Sequence, residues 1–176
     1  MYAFEPFAEN VQSLLGHIYI NDLRNVQVIQ VALAACSGLA GFTLDRGNCQ
    51  NALTDARAAT LVMPTLSLDE AVERYGLAPP ALIKMDVEGA EGALLQGARR
   101  TLECYRPTIF VALHGEEQKQ ECQTFLESLR YRLHALDGTP ICGACLTDEV
   151  YALTPQGTTP GDHMNDLHCP KASSGT

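Results

Sequence analysis

Nowhere in the 176 residues is there a glycine-rich phosphate-binding signature, which sets aside the familiar backbone cradles for nucleotide phosphates. Basic side chains are also scarce, with twelve Lys and Arg against twenty-one Asp and Glu and a net charge of −9. A protein that tracks nucleic-acid phosphates needs the opposite balance, so no nucleic-acid partner is expected. No apolar run approaches the length of a membrane span, and no signal-peptide pattern opens the chain, so no membrane partner is expected. No internal repeat is visible. A zinc site normally shows two well-spaced ligand pairs. Here Cys142-Gly143-Ala144-Cys145 is one pair, but its only complement is the adjacent His168-Cys169, so no metal is expected. The seven cysteines (Cys36, Cys49, Cys104, Cys122, Cys142, Cys145 and Cys169) are odd in number, and several fall on expected core faces. Reduced thiols in a cytoplasmic protein fit that pattern better than a disulfide framework.

What is present is ordinary globular material. Hydrophobic residues make up 46% and charged residues 19%, enough for one domain with a sizeable core. Apolar segments of two periods alternate. Tyr2-Ala3-Phe4 is a short strand leading to Glu5-Pro6, and Val11, Leu14, Leu15 and Ile18 then repeat at helical spacing. Val26 to Val31 is β-branched and strand-like. Ser67-Leu68-Asp69-Glu70 is a capping box with a helical stripe of Leu68, Ala71, Val72 and Tyr75 behind it. Ala81 to Met85 has the mostly apolar character of a buried parallel strand. Leu94, Ala98, Leu102 and Tyr105 mark a helix, Pro107 to Leu113 a strand, and Cys122, Phe125, Leu126 and Leu129 another helix. Two last strands, near 131–136 and 149–153, are placed to pair antiparallel.

Strand alternating with helix argues for an α/β fold, a mostly parallel sheet with helices on both faces. Right-handed crossovers bring the strands' C-terminal ends to one edge, where ligands of such sheets bind. Glu5, Asp86 and His114 are expected there. Ser37 to Pro64 is too long for a simple loop and reads as a hairpin excursion, with strand signals near Gly41–Leu44 and Ala59–Met63. The domain is drawn as 1–154, and 155–176, poor in apolar residues, as a disordered tail.

The sharpest signal is Leu82-Ile83-Lys84-Met85-Asp86-Val87-Glu88-Gly89-Ala90-Glu91, continuing to Leu94-Leu95-Gln96-Gly97-Ala98. Three carboxylates in six residues stand where a strand ends and a helix begins. Lys84 and Asp86 share one side of the strand, because side chains alternate with period two. Gly89 allows a tight turn, and the helix dipole favours Glu88 and Glu91 near its first turn. Glu91 reads equally well as a plain helix cap.

This stretch resembles the signature of the FkbM-type methyltransferases, S-adenosylmethionine-dependent O-methyltransferases with a Rossmann-like class I sheet. Three further pieces match in order. Ala3-Phe4-Glu5-Pro6 with Asn10 resembles that family's second strand, Asn25-Val26 through Val31-Ala32-Leu33 its third, and Thr65-Leu66 with Leu68-Asp69 the segment before its fourth. Pro107 to His114 fits the next strand, which in the family often carries a glutamate two residues before the histidine; Ala112 stands there here.

The resemblance implies S-adenosyl-L-methionine as cofactor and, as partner, a small molecule or sugar-containing metabolite that offers a hydroxyl. Glu5 would accept hydrogen bonds from the cofactor's ribose, Ala32 and Leu33 would flank its adenine or serve as core, and Asp86 would lie beside its methionine portion. Methyl transfer to an alcohol asks the protein to position two centres and remove one proton. Glu88, Asp86 and His114 are the candidates for that proton, Glu88 first.

The family's glycine-rich first strand and turn have no counterpart here. The resemblance places that strand between Tyr2–Glu5 and Ala81–Asp86, so these two either pair directly or leave unpaired edges. The chain by itself is therefore expected to bind the cofactor weakly or not at all and to self-associate through those edges. Two other readings stay open. One is a truncated relative without catalysis that acts as an interaction module; the other is a nucleotide-fold enzyme using Asp86 and Glu88 with a divalent metal.

Overall fold

The computed structural model describes residues 1–43, 52–54, 59, 61–87, 89–141 and 148–153. The expected tail and the Cys142/Cys145 pair fall outside them. Strand β1 (Tyr2–Phe4) pairs in parallel with β2 (Gln27–Ile29), Tyr2 opposite Gln27, across helix α1 (Ala8–Ile20). The Val11 stripe does form that helix, but only Val11 is buried, and Leu15 and Tyr19 stand in the open.

Next come β3 (Ala32–Leu33), β4 (Gly38–Thr43), β5 (Ala52–Thr54) and β6 (Leu61–Leu66), in the order β3-β6-β4-β5. β4 runs antiparallel to both β5 and β6, with Gly38 opposite Thr65, so the stretch read as a hairpin excursion is one. The strand expected over 26–31 is shorter, running from Gln27 to Ile29, and β3 begins just beyond it. Val31 donates its backbone N–H to the Ile29 carbonyl at 3.0 Å, and this three-residue turn sends β3 to pair with β6 instead of continuing β2.

The third sheet holds β7 (Leu82–Met85), β8 (Thr108–Ala112), β9 (Arg132–Ala135) and β10 (Glu149–Leu153), in the order β7-β8-β10-β9. β7 and β8 are parallel, and β10 is antiparallel to both its neighbours, as expected for the terminal pair. One mostly parallel sheet was the expectation. The described strands instead form three sheets, with three parallel and four antiparallel pairings. The hairpin and the return of β10 account for the difference, since short connections join strands antiparallel. Among the described residues β1 bonds only β2 and β7 only β8, so the two do not pair with each other.

The main core lies against the third sheet. It is built by Leu68, Ala71 and Val72 of α2 (Leu68–Glu73), by Leu94, Leu95, Ala98 and Leu102, by Ile109 and Val111 of β8, and by Cys122 and Leu126 of α5 (Glu116–Ser128). The stripe Leu94, Ala98, Leu102 is wholly buried as its spacing requires, yet it spans two helices, α3 (Glu91–Gly97) and α4 (Arg99–Tyr105). The break has a cause. Ala98 offers α4 no side-chain cap, and Asp69 of α2 accepts the N–H groups of Arg100 (3.0 Å) and Thr101 (2.7 Å) in its place. Those two N–H groups would otherwise bond back into α3. Gly97 at the joint lies directly against the Ala34 carbonyl, where a Cβ would collide with backbone.

The capping box is half realised. Ser67 Oγ accepts from Glu70 N at 3.2 Å, but Ser67 N donates to Ser37 Oγ, and the Glu70 carboxylate pairs with Arg74. The expectation of reduced thiols holds for Cys36 and Cys122 and fails for Cys104, which is disulfide-bonded. An odd cysteine count leaves room for a bridge, and the core-face argument did not apply to Cys104, which is only half-buried.

Candidate functional site

β7 ends on Met85, which is buried, and Asp86 follows with 46% of its side chain exposed. The alternation along the strand puts Lys84 beside it, Nζ 3.7 Å from Asp86 Oδ2. Gly89 then takes φ +91°, a backbone state that disfavours any side chain, and its N–H donates to Glu91 Oε1 at 3.1 Å. Glu88, placed first among the proton acceptors, lies outside the described residues.

β8 runs parallel to β7 and delivers Leu113 and His114 to the same edge. Leu113 is buried, and its N–H donates to the Asp148 carbonyl at 2.6 Å, which anchors the strand end against the approach to β10. Gly115 at φ +87° turns the chain into α5. His114 is thereby held between two acids. Its Nδ1 lies 2.9 Å from Glu91 Oε1, and its Nε2 lies 3.7 Å from Asp86 Oδ1. Glu91 is wholly buried, whereas His114 keeps 34% of its side chain exposed.

A cleft of about 900 Å³ opens over this edge, lined among others by Asp86, His114, Gly115, Asp137, Asp148 and Glu149. Its wall is acidic. Two basic groups stand beside it: Lys84, next to Asp86, and Lys119, bound by Glu116 Oε1 at 2.8 Å and Asp148 Oδ1 at 2.9 Å. Those hydrogen bonds, Glu116 first, raise the ammonium pKa, and the same Lys119 contact holds the Asp148 carboxyl below its usual range. Behind the cleft Cys122 is kept neutral. Burial, reinforced by the charges of Glu91 and Glu121, pushes its thiol up to about 12.

The structure thus brings together Asp86 and His114 of the expected site, and it adds Glu91. The signal for Glu91 was in the sequence: one step back along the stripe Leu94, Ala98, Leu102 lands on it, a buried position for an acid. Asp148 and Lys119 carried no such signal, because a loop and a helix bring them together across the fold. Glu5, Ala32 and Leu33 are not among the residues lining this cleft. Glu5 follows β1, and its Oε1 accepts the Phe7 N–H at 2.8 Å, at the entry to α1. Ala32 is buried with Phe42 and Met63 in a second small cluster, and Leu33 packs against the main core. Among the described residues no group of three or more His, Cys, Asp or Glu side chains is arranged to hold a metal ion. No helix of the described residues is long and apolar enough to cross a membrane.

Chemically, the edge offers a half-exposed carboxylate, a partly exposed imidazole between two acids, and a buried carboxylate behind it. Comparison with known proteins gives the family and the fold. The family model for the methyltransferase FkbM domain matches residues 1–134. Among solved structures, the crystal structure of methyltransferase FkbM from Methylobacillus flagellatus KT superposes with a TM-score of 0.59 at 18% sequence identity. The match covers 86% of this chain and 36% of that one, so the chain spans about a third of that protein's length. No curated protein matches it.

Proposed function

Because the chain belongs to the FkbM methyltransferase family, we propose that it serves S-adenosylmethionine-dependent O-methylation, with a hydroxyl of a small molecule or sugar-containing metabolite as acceptor. The observation that carries this reading is His114 at the cleft edge, backed by a carboxylate on Nδ1 at 2.9 Å and presenting Nε2 toward Asp86 and the cleft. Such a group is suited to take one proton from an alcohol.

Asp86 stands at the cleft and suits the cofactor's polar groups, whereas the roles of Glu5, Ala32 and Leu33, which do not line it, rest on the family resemblance. Glu5 has one carboxylate oxygen tied to Phe7 N–H and a second with which to accept ribose hydroxyls. Asp86, half-exposed at the strand end, suits the ammonium of the methionine portion. Ala32 and Leu33 offer apolar surface for the adenine only where their core packing leaves it. When bound, the cofactor supplies an already activated methyl on a sulfonium centre. What remains for this chain is to orient the acceptor and remove its proton. His114 Nε2 does so in the geometry described, Asp86 steadies the charge that forms on the ring, and Glu88, one residue past Val87, is the other candidate base.

The acidic wall favours a neutral, hydroxyl-rich acceptor over an anionic one, because Asp86, Asp137, Asp148 and Glu149 would repel a second negative charge. The sides of β1 and β7 that bond no strand among the described residues are where self-association would start, readable by sedimentation.

Calorimetric titration with S-adenosylhomocysteine up to millimolar concentration tests the reading. Weak saturable heat, appearing only in the millimolar range and lost in Glu5→Gln and Asp86→Asn, is the expected outcome. A folded chain that gives no saturable heat over that range would overturn it.

A further inference from the structure

Glu91 opens α3, and acids in a first helical turn usually stand in water, where the helix dipole and a free N–H favour them. This one is fully buried. Its Oε1 is engaged twice, by Gly89 N–H at 3.1 Å and by His114 Nδ1 at 2.9 Å. Its Oε2 is buried with no hydrogen-bond partner among the described residues. Leaving a carboxylate oxygen dry and unpaired is unfavourable, and local capping does not require it, since an amide would serve Gly89 as well. What an amide serves less well is an imidazole N–H, to which a carboxylate makes the stronger, charge-assisted bond.

We infer that Glu91 is a positioning residue, whose buried carboxylate holds His114 as the Nδ1–H tautomer and so leaves Nε2 as the basic atom facing the cleft. The surroundings agree with a ring that must be held. Asp86 faces Nε2 from the end of β7, Asp148 and Glu149 stand at the start of β10, and Asp137 lies in the turn after β9. From α5 come Lys119, already shared between Glu116 and Asp148, and the neutral thiol of Cys122. A ring free to turn in that acidic setting could donate either N–H to a carboxylate, and Nε2 would then often carry the proton it is meant to accept. The second nitrogen of a functional histidine is commonly fixed in this way by a carboxylate behind it.

The inference rests on reading His114 as the base, but its test does not depend on methyl transfer. Two-bond proton–nitrogen correlation spectra of the full chain, recorded where imidazoles are neutral, report the tautomer of each histidine, and His114→Gln identifies the signal. The wild type is expected to show a pure Nδ1–H pattern for His114. Glu91→Leu fills the same buried volume without an acceptor and should convert the pattern to a mixture rich in Nε2–H. Glu91→Gln, which keeps an acceptor oxygen, should restore most of it. Where methyl transfer is measurable, Glu91→Leu should lower kcat by about 10²-fold with little change in the acceptor's KM. A wild-type His114 in the Nε2–H form, or a pattern unchanged by Glu91→Leu in a folded chain, overturns the inference. Should the leucine variant not fold, the wild-type spectrum alone decides. A correct tautomer with no cofactor binding would sink the proposed function and leave the Glu91–His114 pair standing.

Discussion

Replacing Asp69 by alanine should remove the cap of a helix to which it does not belong. Asp69 sits in the first turn of α2, is 8% exposed, and takes the N–H groups of Arg100 and Thr101 at 3.0 and 2.7 Å. Loss of an ordinary N-cap costs about 0.5–2 kcal/mol. Here two donors are lost at once, and Thr101 is 2% exposed, so water cannot readily replace the carboxylate. An orphaned buried donor adds about 1–3 kcal/mol. The ion pair from Arg100 Nε to Asp69 at 3.7 Å adds little, because the Arg100 side chain is 61% exposed. About 3 kcal/mol is therefore expected, or roughly 6–12 °C in Tm for a chain of this size. Circular-dichroism melts and urea titrations would measure it, and amide exchange at residues 100 and 101 should accelerate. Asp69→Asn, with one acceptor oxygen left, should fall between. A loss under about 0.5 kcal/mol would refute the argument that Asp69 makes the break between α3 and α4.

Gly97→Ala should lower Tm by several degrees, because overpacking against the Ala34 carbonyl, about 1–3 kcal/mol, outweighs a helix-propensity gain of up to about 1 kcal/mol; a rise in Tm would contradict it. Alkylation of the native, unreduced chain near pH 8, read by peptide mass spectrometry, should label Cys36, spare Cys122, whose thiol is pushed up to about 12, and reach Cys104 only after reduction. Stability should be fully present below the unfolded values of Cys122 and Tyr131, 9.0 and 10.0, and decline as pH rises toward their folded values of about 12. The sign follows because the unfolded chain loses those protons first. Urea midpoints across pH 8–11 would show the decline, and Cys122→Ala should remove the part that starts near pH 9.

Much of the element succession is legible in the sequence because periodicity is local. The spacing of Val11 to Ile18, of Cys122 to Leu129 and of Leu68 to Val72 reports a helix whatever it packs on, and Ala81–Met85 reports a strand. The partition into three sheets is not local. Whether residues 26–33 make one strand or two depends on a single turn bond from Val31 to Ile29 and on which partner β3 meets, neither of which alters the hydrophobic pattern. The helix break is illegible for the same reason. Leu94, Ala98 and Leu102 keep one face across it, and its cause is Asp69, some thirty residues away.

The candidate site divides along the same line. Asp86 and His114 could be placed at one edge because two adjacent parallel strands bring their ends together by geometry alone. Glu5 ends a strand that bonds only β2 among the described residues, and it is not among the residues lining the cleft. Glu91 is the instructive residue. An acid one position into a helix satisfies the capping rule and the stripe rule at once, and the two rules send it to opposite places, one to solvent and one to the core. Burial won because the ring of His114 stands where the solvent would have been and supplies a donor that only an acceptor can satisfy. An acid that breaks the expected placement, with one oxygen left unpaired, is better explained by the histidine it holds than by the helix it begins.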